Sequence, residues 1–234
     1  MVDRKRRERT IIVWLIVVAL FVATLGVFTI VRSGNIAAVS WALLVVATAL
    51  FYARFERRSI PAREMALLAA LAAIAAVGRV PFAALPSVQP TTFVVVTAGI
   101  AFGAEAGFVV GAAAAVVSNL FLGQGFWTPW QMFAWGLAGA TAGWLRRTGL
   151  FTGRFGMAAF GFAWGFLFGW LMNLYVAAEM WDVGGPKGLI ALAAASFWFD
   201  LAHAATNAVL LGLFGRGWVR TLDRIGRKYK IVSD

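Results

Sequence analysis

Long apolar runs, separated by short polar segments, fill the chain from residue 11 to residue 214. A membrane-spanning helix needs about 20 mostly apolar residues, so runs of this length indicate spans rather than amphipathic helices on a soluble core. The expected fold class is therefore an all-α membrane protein. The pattern predicts eight spans, near residues 11–31, 36–53, 62–78, 91–103, 105–122, 130–145, 156–178 and 189–214.

The stretch 91–122 could be one long helix or two short helices that turn at Gly103. Connections on the cytoplasmic side of a membrane carry an excess of Lys and Arg. One long helix would divide the 21 Lys and Arg about evenly between the two sides, which is no bias. Two helices favour eight spans with both termini in the cytoplasm, because they leave outside only Arg32, Arg79 and Lys187.

Composition and charge agree with a multi-pass protein of the cell membrane. The chain is 62% hydrophobic and 13% charged, whereas soluble domains carry about 25% charged residues. Its net charge of +11 could suggest a nucleic-acid partner. The cations lie in blocks between apolar runs, however, as expected at the surface of a lipid bilayer, so we expect no nucleic acid. The chain has no cysteine and a single histidine, which excludes thiolate and multi-histidine metal sites.

A basic linker, 53–61, divides the chain lengthwise. Residues 1–61 are expected to form a basic N-terminus, a two-helix transmembrane hairpin and this linker. Residues 62–214 form a six-helix substrate-binding membrane domain, and 215–234 a basic cytoplasmic tail. Glycines recur at every fourth position in the six-helix part, which predicts close contacts between helix backbones.

Polar and aromatic side chains concentrate in three connections that the predicted topology places outside the cell. Amides, indoles and rigid prolines suit recognition of a polar, partly aromatic solute. An interfacial aromatic belt would also explain Trp127 and Trp130, but a belt does not require the neighbouring amides. The candidate binding residues in these segments are Arg79, Gln89, Thr92, Asn119, Gln124, Trp127, Thr128, Trp130, Gln131, Asn173 and Tyr175.

The last span carries Asp200, His203 and Asn207 at positions i, i+3 and i+7, on one face of the helix. An aspartate near the bilayer centre costs about 3 kcal/mol on insertion scales, so something must offset it. Two interpretations are open. Asp200 and His203 form a local pair with a packing role, or both contribute to the solute site.

Several segments together carry a resemblance to a known family. They are the alanine-rich helix that ends in 78–82, the Gln89-Pro90-Thr91-Thr92 sequence, the turn at Gly103, and residues 119–132. Over residues 62–214 the chain resembles the substrate-binding S-component of energy-coupling factor (ECF) vitamin transporters. Segment 123–132 looks most like S-components of the cobalamin-specific type.

The resemblance implies a function and a set of partners. An S-component binds its vitamin from outside, here cobalamin or a related corrinoid, in a pocket closed by the outer loops. It docks onto a transmembrane coupling protein that two ATP-binding cassette ATPases drive. Ala66, Ala70 and Ala73 match the docking face, and the loops around Gln89 and Gln124 match the lid. The chain would be no enzyme and would bind no cofactor itself; the vitamin is its transported ligand, and the partner subunits use the ATP.

Two other functions are compatible with the same sequence. Asp200 and His203 could couple protons in a secondary transporter that works alone, although no other span supplies a mid-membrane acid. Alternatively, the chain could be a membrane scaffold without a ligand. The predicted hairpin is a departure from the six spans usual among S-components.

The predicted topology can be tested with a reporter fused to the C-terminus. We expect a reporter that functions only in the cytoplasm to be active, because the tail belongs to the most basic block of the chain. Activity of a reporter that functions only outside the cell would contradict the eight-span arrangement.

Overall fold

The computed structural model describes residues 61–229 and five isolated positions between 42 and 49. The regular structure in this part of the chain is entirely helical. The predicted spans at 11–31 and 36–53 lie outside the described residues, so the hairpin and the count of eight spans remain predictions.

Six apolar helices appear where the sequence predicts the six-helix domain, and a seventh follows them. Their bounds are α1 Ala62–Arg79, α2 Thr91–Phe102, α3 Ala104–Leu122, α4 Thr128–Leu145, α5 Arg154–Glu179, α6 Trp181–Leu210 and α7 Arg216–Lys228. Within the described part, four segments are long and apolar enough to cross a membrane. These are Ala62–Phe82, Ala104–Leu122, Arg154–Glu179 and Val183–Lys228; α2 is a shorter apolar helix.

The stretch 91–122 forms two helices, as the charge distribution predicts. They meet at Gly103, which has φ 98° and ψ 176°. Because a positive φ of this size strains any residue with a Cβ, glycine is what allows the chain to turn here without a longer loop. Two short helices can therefore stand side by side in place of one long helix.

Three segments outside the predicted spans contain helix. Residues 80–82 form a 3₁₀ turn that begins at the proline-containing entry to the first long loop. The connection after α5 is also shorter than expected, because α6 begins at Trp181 and changes direction at Gly185 (φ 49°) before Pro186. Residues 216–228, assigned above to a tail, form α7, in which Leu222 and Gly226 are buried while the arginines face outward. A π turn at Leu211–Gly215 joins α6 to α7.

Glycines determine how closely the central helices pack. α3 runs antiparallel to α4, α5 runs antiparallel to α6, and α2 lies among α1, α3, α4 and α7. A Cβ on Gly107 would collide with the backbones of Gly139 and Gly99, and a Cβ on Gly139 would collide with Gly107. The regularly spaced glycines therefore form contacts between helix backbones, as predicted.

The bundle has two chemically different ends. The first, here called the loop end, contains the C-termini of α1, α3 and α5 and the N-termini of α2, α4 and α6. The second, here called the basic end, contains Gly103, the connection 146–153 and α7. At the basic end Arg146 Nη1 donates to the carbonyl of Ala101 at 3.4 Å. Burial, reinforced by the neighbouring charge of Arg147, lowers the pKa of Arg146 below its ordinary value.

The glycine contact can be tested by adding one methyl group. Gly139→Ala should destabilise the bundle by about 1–3 kcal/mol, because the added Cβ overlaps backbone that cannot move aside. Gly188→Ala is the matched control, since a Cβ there meets nothing within 4 Å. Denaturation midpoints of the purified proteins in detergent provide the measurement. Equal midpoints for the two variants would contradict the packing account.

Candidate functional site

Five of the predicted binding residues form one network at the loop end around the side chain of Asn119, namely Arg79, Asn119, Gln124, Thr128 and Gln131. The Asn119 amide is 1% exposed. Its Nδ2 donates to Thr128 Oγ1 at 3.0 Å and to Gln131 Oε1 at 2.8 Å, and its Oδ1 accepts from Arg79 Nη1 at 2.8 Å. Asn119 thus connects the ends of α1, α3 and α4.

The turn between α3 and α4 is shaped for this network. Gly123 ends α3 with φ 103°, and Pro129 lies in the first turn of α4, where a missing N–H costs nothing. The Thr128 hydroxyl donates to Gln124 Oε1 at 2.9 Å and accepts from the Gly125 N–H at 3.2 Å. Gln124 Nε2 in turn donates to the carbonyl of Val116 at 3.0 Å. Three of the predicted amides, at positions 119, 124 and 131, are therefore bonded within the protein.

Arg79 brings a positive charge to the loop end without a carboxylate partner among the described residues. Its Nη1 also donates to Ser118 Oγ at 2.9 Å, and its guanidinium lies over the ring of Trp135, 5.0 Å from the centroid. Neutral oxygens and an aromatic face solvate the cation only partly. A ligand oxygen that accepted a hydrogen bond from the Arg79 guanidinium would complete the solvation of its charge.

A second chain of contacts extends from Trp135 into the bundle. Trp135 Nε1 donates to Thr92 Oγ1 at 3.1 Å, and this hydroxyl forms a 2.9 Å hydrogen bond with His203 Nε2. The imidazole also packs edge-on against Phe168, at 5.1 Å between ring centroids. His203 is therefore a fully surrounded side chain on the inner side of the network.

Asp200 belongs to a separate group of polar residues. Its Oδ2 accepts from Ser196 Oγ at 2.8 Å, and Ser196 Oγ accepts from Asn173 Nδ2 at 2.8 Å. The carboxylate packs against Gly169, where any side chain would collide with it. The interpretation of Asp200 and His203 as a local pair is wrong, because Asp200 bonds to Ser196 within α6, whereas His203 bonds to Thr92 of α2. The i, i+3 spacing would allow the two side chains to touch, but each has another partner.

The aromatic candidates differ in their surroundings. Trp130 is buried and its ring lies 6.2 Å from that of Tyr175, centroid to centroid. Trp127 is 38% exposed and covers Gly125, where a Cβ would overlap the indole. The structure therefore separates an internal aromatic pair from an indole at the surface of the loop end.

Two predicted residues have buried polar atoms without a hydrogen-bond partner in the described part of the chain. They are the N–H of Trp130, at Nε1, and the side-chain carbonyl of Gln89, at Oε1. Both belong to the loop end. A buried donor or acceptor left unpaired costs about 1–3 kcal/mol, so each atom would gain from a complementary group. Asn207, on the face of α6 named above, is also buried with both amide atoms unpartnered, but it lies deeper in the bundle.

The sequence did not single out four residues that hold this arrangement together. Trp135, Ser118, Ser196 and Phe168 each contact a predicted residue directly. Ser196 could have been found from the sequence, because it lies four residues before Asp200 and so on the same helical face. The others became evident only from contacts between helices.

The arrangement of the loop end suits the binding of a solute. Within the described residues, no group of three or more His, Asp or Glu side chains is positioned to hold a metal ion. The loop end instead presents the Arg79 cation, the unpaired donor of Trp130, the unpaired acceptor of Gln89 and aromatic rings. These groups recognise a polar, flat solute by hydrogen bonds and stacking.

The predicted docking alanines lie on the outside of α1. Ala66, Ala70 and Ala73 are all exposed, and so are Ile74 and Val77 beside them. The opposite face of α1, with Leu68 and Leu71, is buried in the bundle. An outer face of small residues lets another helix backbone approach closely.

One comparison with known proteins identifies the family. A family model described as "ECF-type riboflavin transporter, S component" matches residues 62–216, well over half of the chain. No curated protein and no solved structure matches the chain. The matched region contains all six apolar helices, the loop end and the alanine face. The chain therefore belongs to the family of S components of ECF-type transporters.

Proposed function

We propose that the loop end captures a vitamin from outside the cell and that the ligand is a flavin. The S components of this family are vitamin-binding transporter subunits rather than enzymes. The observation that carries the proposal is the pair of unpartnered buried atoms, Trp130 Nε1 and Gln89 Oε1, at the same end as the unpaired charge of Arg79.

The chemistry of a flavin complements these three groups. Its isoalloxazine ring has carbonyl oxygens for the Trp130 N–H and the Arg79 guanidinium, and an imide N–H for Gln89 Oε1. The ring is flat and conjugated, so it can stack on the aromatic side chains of the loop end. The description of the matching family model, which names riboflavin, supports the same choice.

Cobalamin is the second candidate, on the resemblance of segment 123–132 to S-components of the cobalamin type. A corrinoid is rimmed with amides, so it would need many free polar groups on the protein. Asn119, Gln124 and Gln131 are bonded to one another through Thr128 or directly, and to Arg79 and Val116. These amides support the shape of the site, which favours the smaller ligand.

The alanine face of α1 is the proposed surface for docking onto the partner subunits. ECF S components work with a transmembrane coupling protein and ATPases, and Ala66, Ala70 and Ala73 form an exposed surface on which such a partner can pack. The chain then holds the vitamin while the partner subunits use ATP to bring about its release inside the cell.

The ligand can be tested by titrating the purified protein with riboflavin and, separately, with cobalamin. Trp130→Phe keeps an aromatic ring but removes the N–H together with the pyrrole ring of the indole, so the Kd for riboflavin should rise roughly two- to tenfold or more. Trp170→Phe is the matched control, because Trp170 lies 53% exposed on the outer side of α5. Isothermal titration calorimetry measures both constants. Tight binding of cobalamin without binding of riboflavin would reverse the order of the two candidates.

The docking face can be tested separately from ligand binding. Ala70→Trp should leave the Kd for the vitamin unchanged and abolish ATP-driven uptake into proteoliposomes, because the bulky ring prevents close approach of a partner helix. Ala205→Trp places the same ring on an exposed position of α6 and serves as the control.

The same vesicles distinguish the proposal from a proton-coupled transporter. Uptake driven by a proton gradient, without coupling protein or ATPases, would contradict the S-component mechanism and favour a role for Asp200 and His203. Failure of the purified protein to bind any vitamin, with normal folding, would favour a scaffold.

A further inference from the structure

The basic end contains a cavity that the capture and docking of a vitamin do not use. Its volume is about 510 Å³, within the range of about 300–1,000 Å³ typical of small-molecule sites. The start of α5, the π turn and the first two turns of α7 form its walls. Its lining includes three arginines and three apolar or aromatic side chains, namely Arg154, Arg216, Arg220, Leu213, Phe214 and Trp218.

The cavity is strongly cationic. Arg154 lies over the ring of Phe155, at 5.1 Å, and Arg220 Nε donates to the carbonyl of Arg216 at 3.2 Å. None of the three guanidinium groups that line the cavity is paired with a carboxylate in the part of the chain that the structure describes. Three cations around one concave surface attract an anion, and guanidinium groups match the geometry of a phosphate.

The cavity is also lined by neutral side chains. Trp218 packs on Phe93, with 5.8 Å between the ring centroids, and so holds this wall of the cavity against α2. The Thr221 hydroxyl lines the same cavity. Gly217 lines it with bare backbone, and a Cβ at this position would meet nothing within 4 Å. Packing therefore does not explain the glycine, whereas room for a ligand does.

Apolar side chains next to the cations indicate which kind of phosphate fits. Leu213 is 69% exposed and Phe214 is 58% exposed, and both line the cavity. Free phosphate has no group that would cover them. A phospholipid has acyl chains that lie against exposed apolar residues while its headgroup meets the arginines.

We propose that this cavity binds the headgroup of an anionic phospholipid, with its acyl chains against Leu213 and Phe214. Arg154, Arg216 and Arg220 hold the phosphate, and the π turn between α6 and α7 shapes the opening. π turns in helices occur frequently at functional sites. The predicted topology places this end in the cytoplasmic leaflet, where anionic lipids are enriched.

The test compares lipids retained by the full-length purified protein in native mass spectrometry. Phosphatidylglycerol and phosphatidylcholine with the same acyl chains are titrated in detergent, and inorganic phosphate is added as a competitor. The unmodified protein should retain phosphatidylglycerol in preference to phosphatidylcholine, and excess phosphate should displace it only weakly.

Two variants separate a built site from general attraction to a basic helix. Arg216→Gln with Arg220→Gln should weaken binding of phosphatidylglycerol about 30-fold, since each basic residue near an anionic surface contributes about fivefold. Arg224→Gln with Arg227→Gln removes the same charge from the same helix but not from the cavity, and should have a much smaller effect. Gly217→Leu keeps the charge, favours the helix and fills the cavity, so it should also weaken binding.

Arg154→Gln gives an independent test on a different helix, with the exposed Arg147→Gln as its control. A normal denaturation midpoint identifies the variants that fold. Equal losses for the cavity and control variants, or unchanged binding in Gly217→Leu, would overturn the proposal. Complete displacement by inorganic phosphate would assign the cavity to free phosphate instead, and equal retention of phosphatidylcholine would exclude an anionic headgroup.

Discussion

The backbone contact among Gly99, Gly107 and Gly139 is the constraint on which the rest of the bundle depends. In a membrane, helices gain little from hydrophobic burial against one another, so close packing and interhelical hydrogen bonds must hold them together. The three glycines allow α2, α3 and α4 to approach until their backbones touch. Thr92 then reaches Trp135, and Asn119 reaches Gln131.

This close approach explains why so many polar side chains can be buried at the loop end. A buried polar group is tolerated when its hydrogen bonds are made, and Asn119 uses both its amide hydrogens and its carbonyl oxygen within the protein. The network fixes the relative positions of three helix ends and so gives the site a rigid frame. Trp130 Nε1 and Gln89 Oε1 are exceptions, because they lack the hydrogen-bond partners that the polar groups of the Asn119 network have.

The two ends of the bundle have distinct roles in the proposed cycle. In that cycle the loop end presents the Arg79 cation and unpaired polar atoms to a flat ligand, and the cavity at the basic end presents three arginines to the membrane. The alanine face of α1 extends along the bundle between them and is exposed in the described part of the chain. A lipid bound at the basic end would hold α7 against α5 and the π turn, which line the same cavity.

The sequence by itself determined the membrane class, the six core helices and the break at Gly103, because apolar runs, charge bias and a helix-breaking glycine are local signals. It also predicted most of the polar residues that meet at the loop end, since all of them lie near helix ends in three connections.

Only the tertiary structure decided which polar residues pair. Asp200 and His203 share a helix face, yet Asp200 bonds to Ser196 one turn earlier in α6, while His203 bonds to Thr92 of α2, and only the packing of the helices decides between these partners. The structure likewise showed α7 packed against the core where the sequence indicated a basic tail. Its cavity requires residues from α5 and α7 that are more than sixty positions apart, and no local pattern brings them together.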